Sequence, residues 1–273
     1  MPMISLDDLL ATLELTTTPE GFRAPSLDLP HGAVFGGQLL AQTVVGAARS
    51  APDKHVQSFS VRFPREGRAA ELAFTVDAAQ DGRSFSTRRL QAAQEGKTFF
   101  VADVTLDSPE ASTLEHQASA PNVGDPADAT EVDLGLVPWE TRMVDGVDLE
   151  DRSEGPAQLR WWTRAAAFTD DDPALHQALL AHATDLTLIG TALRPFPGIG
   201  QADAHVTIQT AVTAHSMWFH RPIRIDDWLL VDQHVPVVAG ARGFGLGHVF
   251  DAAGVLVASF AQESLIRPPA PEA

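Results

Sequence analysis

The chain of 273 residues has no cysteine, no tyrosine, and only 19 lysines and arginines against 36 aspartates and glutamates. The lack of cysteine excludes disulfides, thiolate nucleophiles, Cys-ligated zinc and iron–sulfur clusters together. Covalent catalysis would have to use Ser, Thr, Lys or a carboxylate. A net charge of -17 repels phosphate backbones and anionic membrane surfaces, so a nucleic-acid role needs a basic face that no segment supplies. No run of about 18 apolar residues exists to cross a bilayer. Met1-Pro2-Met3-Ile4-Ser5-Leu6-Asp7-Asp8 lacks the basic and apolar regions of a signal peptide. These absences predict a cytoplasmic protein without membrane insertion. What is present is a 44% apolar fraction with 20% charged residues, which supports a buried core. The length suits two units of roughly 100–150 residues each.

The acids are unevenly spread: sixteen fall between Asp107 and Asp172, against four arginines and no lysine. The polar, Ala-rich stretch from Asp107 through Asp128 reads as a solvated, partly irregular connector. In contrast, Arg62, Arg65, Arg68, Arg83, Arg88, Arg89 and Lys97 gather in the segment before it. The predicted organisation is an N-terminal repeat over 1–107, an acidic connector over 108–150 and a C-terminal repeat over 151–273.

The repeat itself is degenerate but ordered. Gln57-Ser58-Phe59-Ser60-Val61-Arg62-Phe63-Pro64 lines up with His215-Ser216-Met217-Trp218-Phe219-His220-Arg221-Pro222 at an offset of 158. Leu72 then falls on Leu230. After a one-residue slip, Gly82-Arg83-Ser84-Phe85-Ser86 meets Ala241-Arg242-Gly243-Phe244-Gly245, and Gly96 returns to Gly254. Such a slip is what a β-bulge inside paired strands produces. Each copy reads as a helix followed by antiparallel strands. In the first, the run 39–48 is apolar almost all round and so predicts a helix buried on most sides. Alternation predicts strands near 56–63, 71–77, 84–92 and 98–106, with Asp81-Gly82 and Glu95-Gly96 as turns. In the second, Asp172 can cap a helix with Pro173 at its first position. A second apolar segment follows over Leu186 to Leu193, then strands near 206–220, 228–237, 242–250 and 255–265. The fold class expected is α+β, with two helix-wrapped antiparallel sheets joined edge to edge so that edge strands are hidden.

No Gly-x-Ser-x-Gly elbow, P-loop, Gly-x-Gly-x-x-Gly or His-Glu-x-x-His occurs. His215 and His220 are five apart on a predicted strand, so they face opposite sides and cannot share a metal. His220 reads as a packing or turn residue, and Asp172 with His176 as helix capping. Asp185 differs from these, as the one acid between Asp172 and Asp203 and in apolar company. Desolvation favours its neutral form and brings it toward a general base's working range. It equally suits the N-cap of a helix over Leu186–Leu193, and the two roles are compatible. Gln262 is the second candidate, because its counterpart in the first copy is Val104. A lone strand glutamine is ordinarily exposed, yet its neighbour Glu263 takes the solvent side, which turns Gln262 inward.

Val34-Phe35-Gly36-Gly37-Gln38, Asp81-Gly82-Arg83-Ser84-Phe85-Ser86-Thr87-Arg88-Arg89, Asp185-Leu186-Thr187-Leu188, His215 through Pro222 and Ala241-Arg242-Gly243-Phe244 together resemble the acyl-CoA thioesterase II family. The resemblance runs from about residue 8 to residue 267 and implies a double hotdog fold. It further implies a water-mediated hydrolysis of acyl-CoA thioesters without an acyl-enzyme. The water would be held by an aspartate, a glutamine and a serine or threonine. Carried over, these are Asp185 and Gln262, and the third position departs from the pattern. Where the family has Ser/Thr-x-Asp-His, this chain has Val212-Thr213-Ala214-His215. Thr210 lies on the strand face of Val212, whereas Thr213 lies on the opposite face unless a bulge turns it. Thr213 is taken as the third catalytic residue. Gly36, Gly37 and Gln38 are expected to bind substrate, with backbone N–H groups near the glycines, or those of the helix start around Asp185, stabilising the oxyanion. Close helix–sheet packing would also call for those glycines. Coenzyme A enters as part of the substrate, with no cofactor or metal, and the resemblance implies a homo-oligomer. The alternative is a double hotdog that binds an acyl thioester with weak or lost hydrolysis because of Val212. A hydratase or dehydratase on the same fold would want an Asp/His pair.

Overall fold

A computed structural model describes residues 3–268. Met1, Pro2 and residues 269–273, at the two ends of the predicted repeats, lie outside the described residues. The strands are β1 (Thr16–Thr18), β2 (Gly21–Ala24), β3 (His55–Arg62), β4 (Leu72–Asp81), β5 (Phe85–Gln94), β6 (Lys97–Asp107), β7 (Thr130–Val132), β8 (Glu140–Met143), β9 (Gln158–Arg164), β10 (Gln209–Phe219), β11 (Leu229–Ala239), β12 (Arg242–Asp251) and β13 (Leu256–Arg267). The α-helices are α1 (Leu6–Ala11), α2 (Gly36–Ser50), α3 (Pro173–Thr184) and α4 (Leu188–Leu193). All the strands join one antiparallel sheet in the order β1-β2-β4-β5-β6-β3-β10-β13-β12-β11-β9-β8-β7.

That order reads the same from both ends through its middle eight strands, because β3, β4, β5 and β6 are the repeat counterparts of β10, β11, β12 and β13. The halves meet where β3 pairs with β10, so neither leaves an edge exposed there. Phe59 and Met217, equivalent at the repeat offset, are also direct partners across that seam, which places a pseudo-twofold axis between them. Register breaks recur in both copies, between Asp77 and Gln80 and between His234 and Val237, in the region where the sequence alignment slips.

Helix α2 is buried from Gly37 through Ala47, as its lack of a polar face requires. It packs on β2, β3, β5 and β6 and lies against α3, while α4 covers β11, β12 and β13. Asp172 caps α3 by accepting from Ala174 N at 2.9 Å, with Pro173 in the first turn. The apolar pattern predicts a helix over Leu186–Leu193 that Asp185 can N-cap. Instead, Asp185 is the C-cap of α3, and Thr187 precedes a shorter α4. The apolar texture is continuous from Leu179 to Leu193, so only the backbone break decides which helix owns the aspartate.

The acidic connector expected over 108–150 is more ordered than its composition suggests. Its second half supplies β7 and β8 to the sheet edge beside β9. It also buries Val137, Met143, Val144 and Leu149. Its acids stay at the surface between these anchors, so charge density hid a period-two apolar pattern. Among the described residues, no helix is long and apolar enough to cross a membrane.

Candidate active site

Asp185 ends α3 at the point where the N-terminus of α2 arrives. The approach is close: a Cβ on Gly36 would lie 2.6 Å from Asp185 Oδ2, and one on Gly37 would lie 2.5 Å from His182 O. Only glycine lets the first turn of α2 meet this carboxyl. The Gly37 N–H donates to the carboxylate, and Phe35, the N-cap residue, offers no side-chain cap of its own. The carboxylate thus takes one of the orphan donors that every helix start carries.

Burial dominates the electrostatics. Asp185 is 4% exposed, and desolvation pushes its carboxyl up to about 7, against the smaller opposing pull of the Gly37 N–H. Its Oδ1 is buried with no hydrogen-bond partner. A carboxylate oxygen with an open lone pair and a proton affinity near neutrality suits a general base.

Beside it stands His215 of β10, with Nδ1 at 3.9 Å from Asp185 Oδ1. This contact is not an ion pair, because burial holds the imidazole down to about 4 and therefore neutral. The ring lies between Phe260 and Phe59, with centroids at 5.9 and 6.2 Å. Its Nδ1 lies 3.1 Å from Gln262 Oε1. On the other side, Nε2 lies 3.3 Å from the Thr184 hydroxyl. The Gln262 amide nitrogen then donates to Ser264 Oγ at 3.1 Å. Asp185, His215, Gln262 and Ser264 form one buried polar cluster on the inner face of β10 and β13.

A bulge creates that face. Between Val212 and Ala214 the pairing with β13 shifts by one, leaving Val212 opposite Ser264 and His215 opposite Gln262. Residues three apart on a regular strand would point to opposite faces. Here Val212 and His215 both point inward. Thr213, expected as the third catalytic residue, is the extra residue of the bulge and faces outward. Its hydroxyl donates to Glu263 Oε1 at 2.8 Å, away from Asp185. Thr210 is buried and its Oγ1 has no partner, but it pairs with Ile266 and has no bond to Gln262.

Gly36 and Gly37 shape the carboxyl site as described. Gln38 does not reach it. Its Oε1 accepts from Leu27 N at 2.9 Å and its amide nitrogen donates toward Pro25 O, so it anchors a loop. Position three of α2 thus turns its side chain to the loop 25–27. His215 and Ser264 were not singled out as site residues in the sequence. Ser264 had a signal: two residues beyond Gln262 on a strand, it shares that residue's face. The Asp/His pair had none, since α3 and β10 meet only in three dimensions. A cavity of about 470 Å³ is lined by Leu186 and Thr187, next in sequence to Asp185, by Val132, Leu134, Met143 and Leu149, and by the acids Asp133, Asp148 and Glu150; Asp185, His215, Gln262 and Ser264 do not line it.

Comparison with known proteins matches residues 25–106 to the acyl-CoA thioesterase N-terminal domain and residues 109–266 to the acyl-CoA thioesterase C-terminal domain. Human acyl-coenzyme A thioesterase 8 is 29% identical over 97% of this chain and 91% of its own length. The crystal structure of the acyl-CoA thioesterase II TesB2 from Mycobacterium marinum superposes with a TM-score of 0.81 at 31% identity, covering 97% of this chain and all of that one. A conserved protein with a hot dog fold from Alicyclobacillus acidocaldarius superposes at 0.77 with 19% identity, covering 96% of this chain and 98% of its own, which bears on the fold alone.

Proposed function

Since the chain belongs to the acyl-CoA thioesterase II family, with its double hotdog fold and its hydrolysis of acyl-CoA thioesters, we propose that Asp185 activates the attacking water and that Gln262 holds it. The observation that carries this reading is the buried Asp185 carboxyl with an uncommitted Oδ1 beside the His215–Gln262 pair. Ionised, Asp185 removes a proton from water as the oxygen bonds to the thioester carbonyl carbon. The negative charge then develops on the carbonyl oxygen. The first turn of α2, whose N–H groups have no intrahelical acceptor, offers donors for that oxyanion, with Gly37 already serving Asp185. Collapse breaks the C–S bond, and the departing thiolate recovers the proton from Asp185. His215 is too weakly basic to compete, since burial holds it at about 4. Its part is to fix the orientation of the Gln262 amide.

The apolar part of the cavity, Leu134, Met143, Leu149 and Leu186, suits an acyl chain, and the cavity volume falls within the range of small-molecule sites. Coenzyme A arrives with the substrate, and the reaction needs no further cofactor. Thiol release over short to long acyl-CoAs tests the reading. We expect turnover that falls at least a hundredfold in Asp185→Asn, and persistent activity in that variant would refute the role of Asp185. Val212, which lacks a hydroxyl, favours a second reading, a binding protein with little hydrolysis. Calorimetric binding of acyl-CoA with no thiol released over hours would select it.

A further inference from the structure

We infer that the Ser264 hydroxyl is a third polar contact of the attacking water, supplied from β13 where the facing residue of β10 is Val212. The inference rests on the reading that Asp185 activates water.

Ser264 is 4% exposed, and its hydroxyl accepts from Gln262 Nε2 at 3.1 Å. Its own proton is therefore uncommitted. Neither lateral neighbour offers a side-chain acceptor, because its register partners are Val212 on β10 and Gly243 on β12. A buried donor left unpaired is costly, so its retention calls for a partner that arrives with the substrate. Gln262 donates to Ser264, which leaves the hydroxyl a donor to spare.

The other hydroxyls on β10 do not fit. Thr213 is bound to Glu263 on the outer face, and Thr210 lies opposite Ile266 with no link to Gln262. The bulge places Val212 directly across from Ser264, so a hydroxyl on either strand would reach the same buried spot.

The test is steady-state thiol release with melting curves on Ser264→Ala, Val212→Thr/Ser264→Ala, Thr210→Val and Asp185→Asn. We expect Ser264→Ala to lower kcat at least tenfold with KM within twofold of the parent. We expect Val212→Thr in that background to restore most of the loss at similar Tm, which a packing role would not produce. If Ser264→Ala does not fold, the near-isosteric Ser264→Cys replaces it, with kcat again reduced because S–H is a weak donor. Full kcat in the Ser264 variant beside an inactive Asp185→Asn overturns the inference and leaves Asp185 in place. A tenfold loss in Thr210→Val alone, or a Ser264→Ala loss that Val212→Thr does not lift, also overturns it. An active Asp185→Asn removes the underlying reading instead.

Discussion

Replacing Asp185 by asparagine separates the catalytic demand on this residue from its energetic burden, because the two move in opposite directions. Raising a carboxyl from its ordinary 3.8 to about 7, at about 1.4 kcal/mol per pH unit, corresponds to about 4 kcal/mol. The unfolded chain releases this proton near 3.8 and the folded chain near 7. Between those values the native state holds a proton that the unfolded state has lost, so stability falls as pH rises through this window. Below about pH 4 the burden is absent, and above about 7 it is complete. Asparagine keeps an acceptor for the Gly37 N–H and carries no such burden. The variant should therefore match the parent near pH 4 and exceed it by about 4 kcal/mol at pH 8. At roughly 2 °C per kcal/mol for a chain of this size, the gap in Tm reaches roughly 8 °C. Scanning calorimetry of both proteins at pH 4.5, 6 and 8 reads the difference, while parallel thiol-release assays read activity. Parent kcat should climb through about pH 7 as Asp185 ionises. A Tm difference that stays flat from pH 4.5 to 8 would refute the argument that burial governs this carboxyl.

Two further substitutions probe its surroundings. Gly36→Ala forces a Cβ to within 2.6 Å of Asp185 Oδ2. A displacement of about 1 Å in a catalytic group costs on the order of a hundredfold, so kcat should fall roughly ten- to hundredfold while Tm is retained. Unchanged kcat would show that the carboxyl yields without consequence. Gln38→Ala strips the partner from the buried Leu27 N–H, with an expected loss of about 1–3 kcal/mol seen in urea unfolding and KM within twofold. A tenfold higher KM without destabilisation would return Gln38 to the substrate.

Much of the fold was legible because its signals are local. Alternation marked the strands from His55 to Asp107 and from Gln209 to Arg267. The offset of 158 marked the duplication that the pairing of Phe59 with Met217 displays. The edge strands β7 and β8 were missed because four-residue apolar alternation is weak beside a dense run of acids. The site was half legible. Asp185 and Gln262 stood out as polar residues in apolar company, a contrast that burial alone explains.

The sequence by itself determined which residues must be inside, that two copies of one unit share a sheet, and which carboxyl would be desolvated. It could not say which helix Asp185 terminates, since a continuous apolar run conceals a backbone break. Nor could it say which residues of β10 share the inner face with Gln262. That depended on one extra residue in β10, which turns Thr213 outward, brings His215 onto the face of Val212 and sets Ser264 opposite it. Strand faces alternate with period two, so a single bulge reverses every assignment beyond it. The bulge is fixed by pairing with a strand about fifty residues away, which no local pattern records.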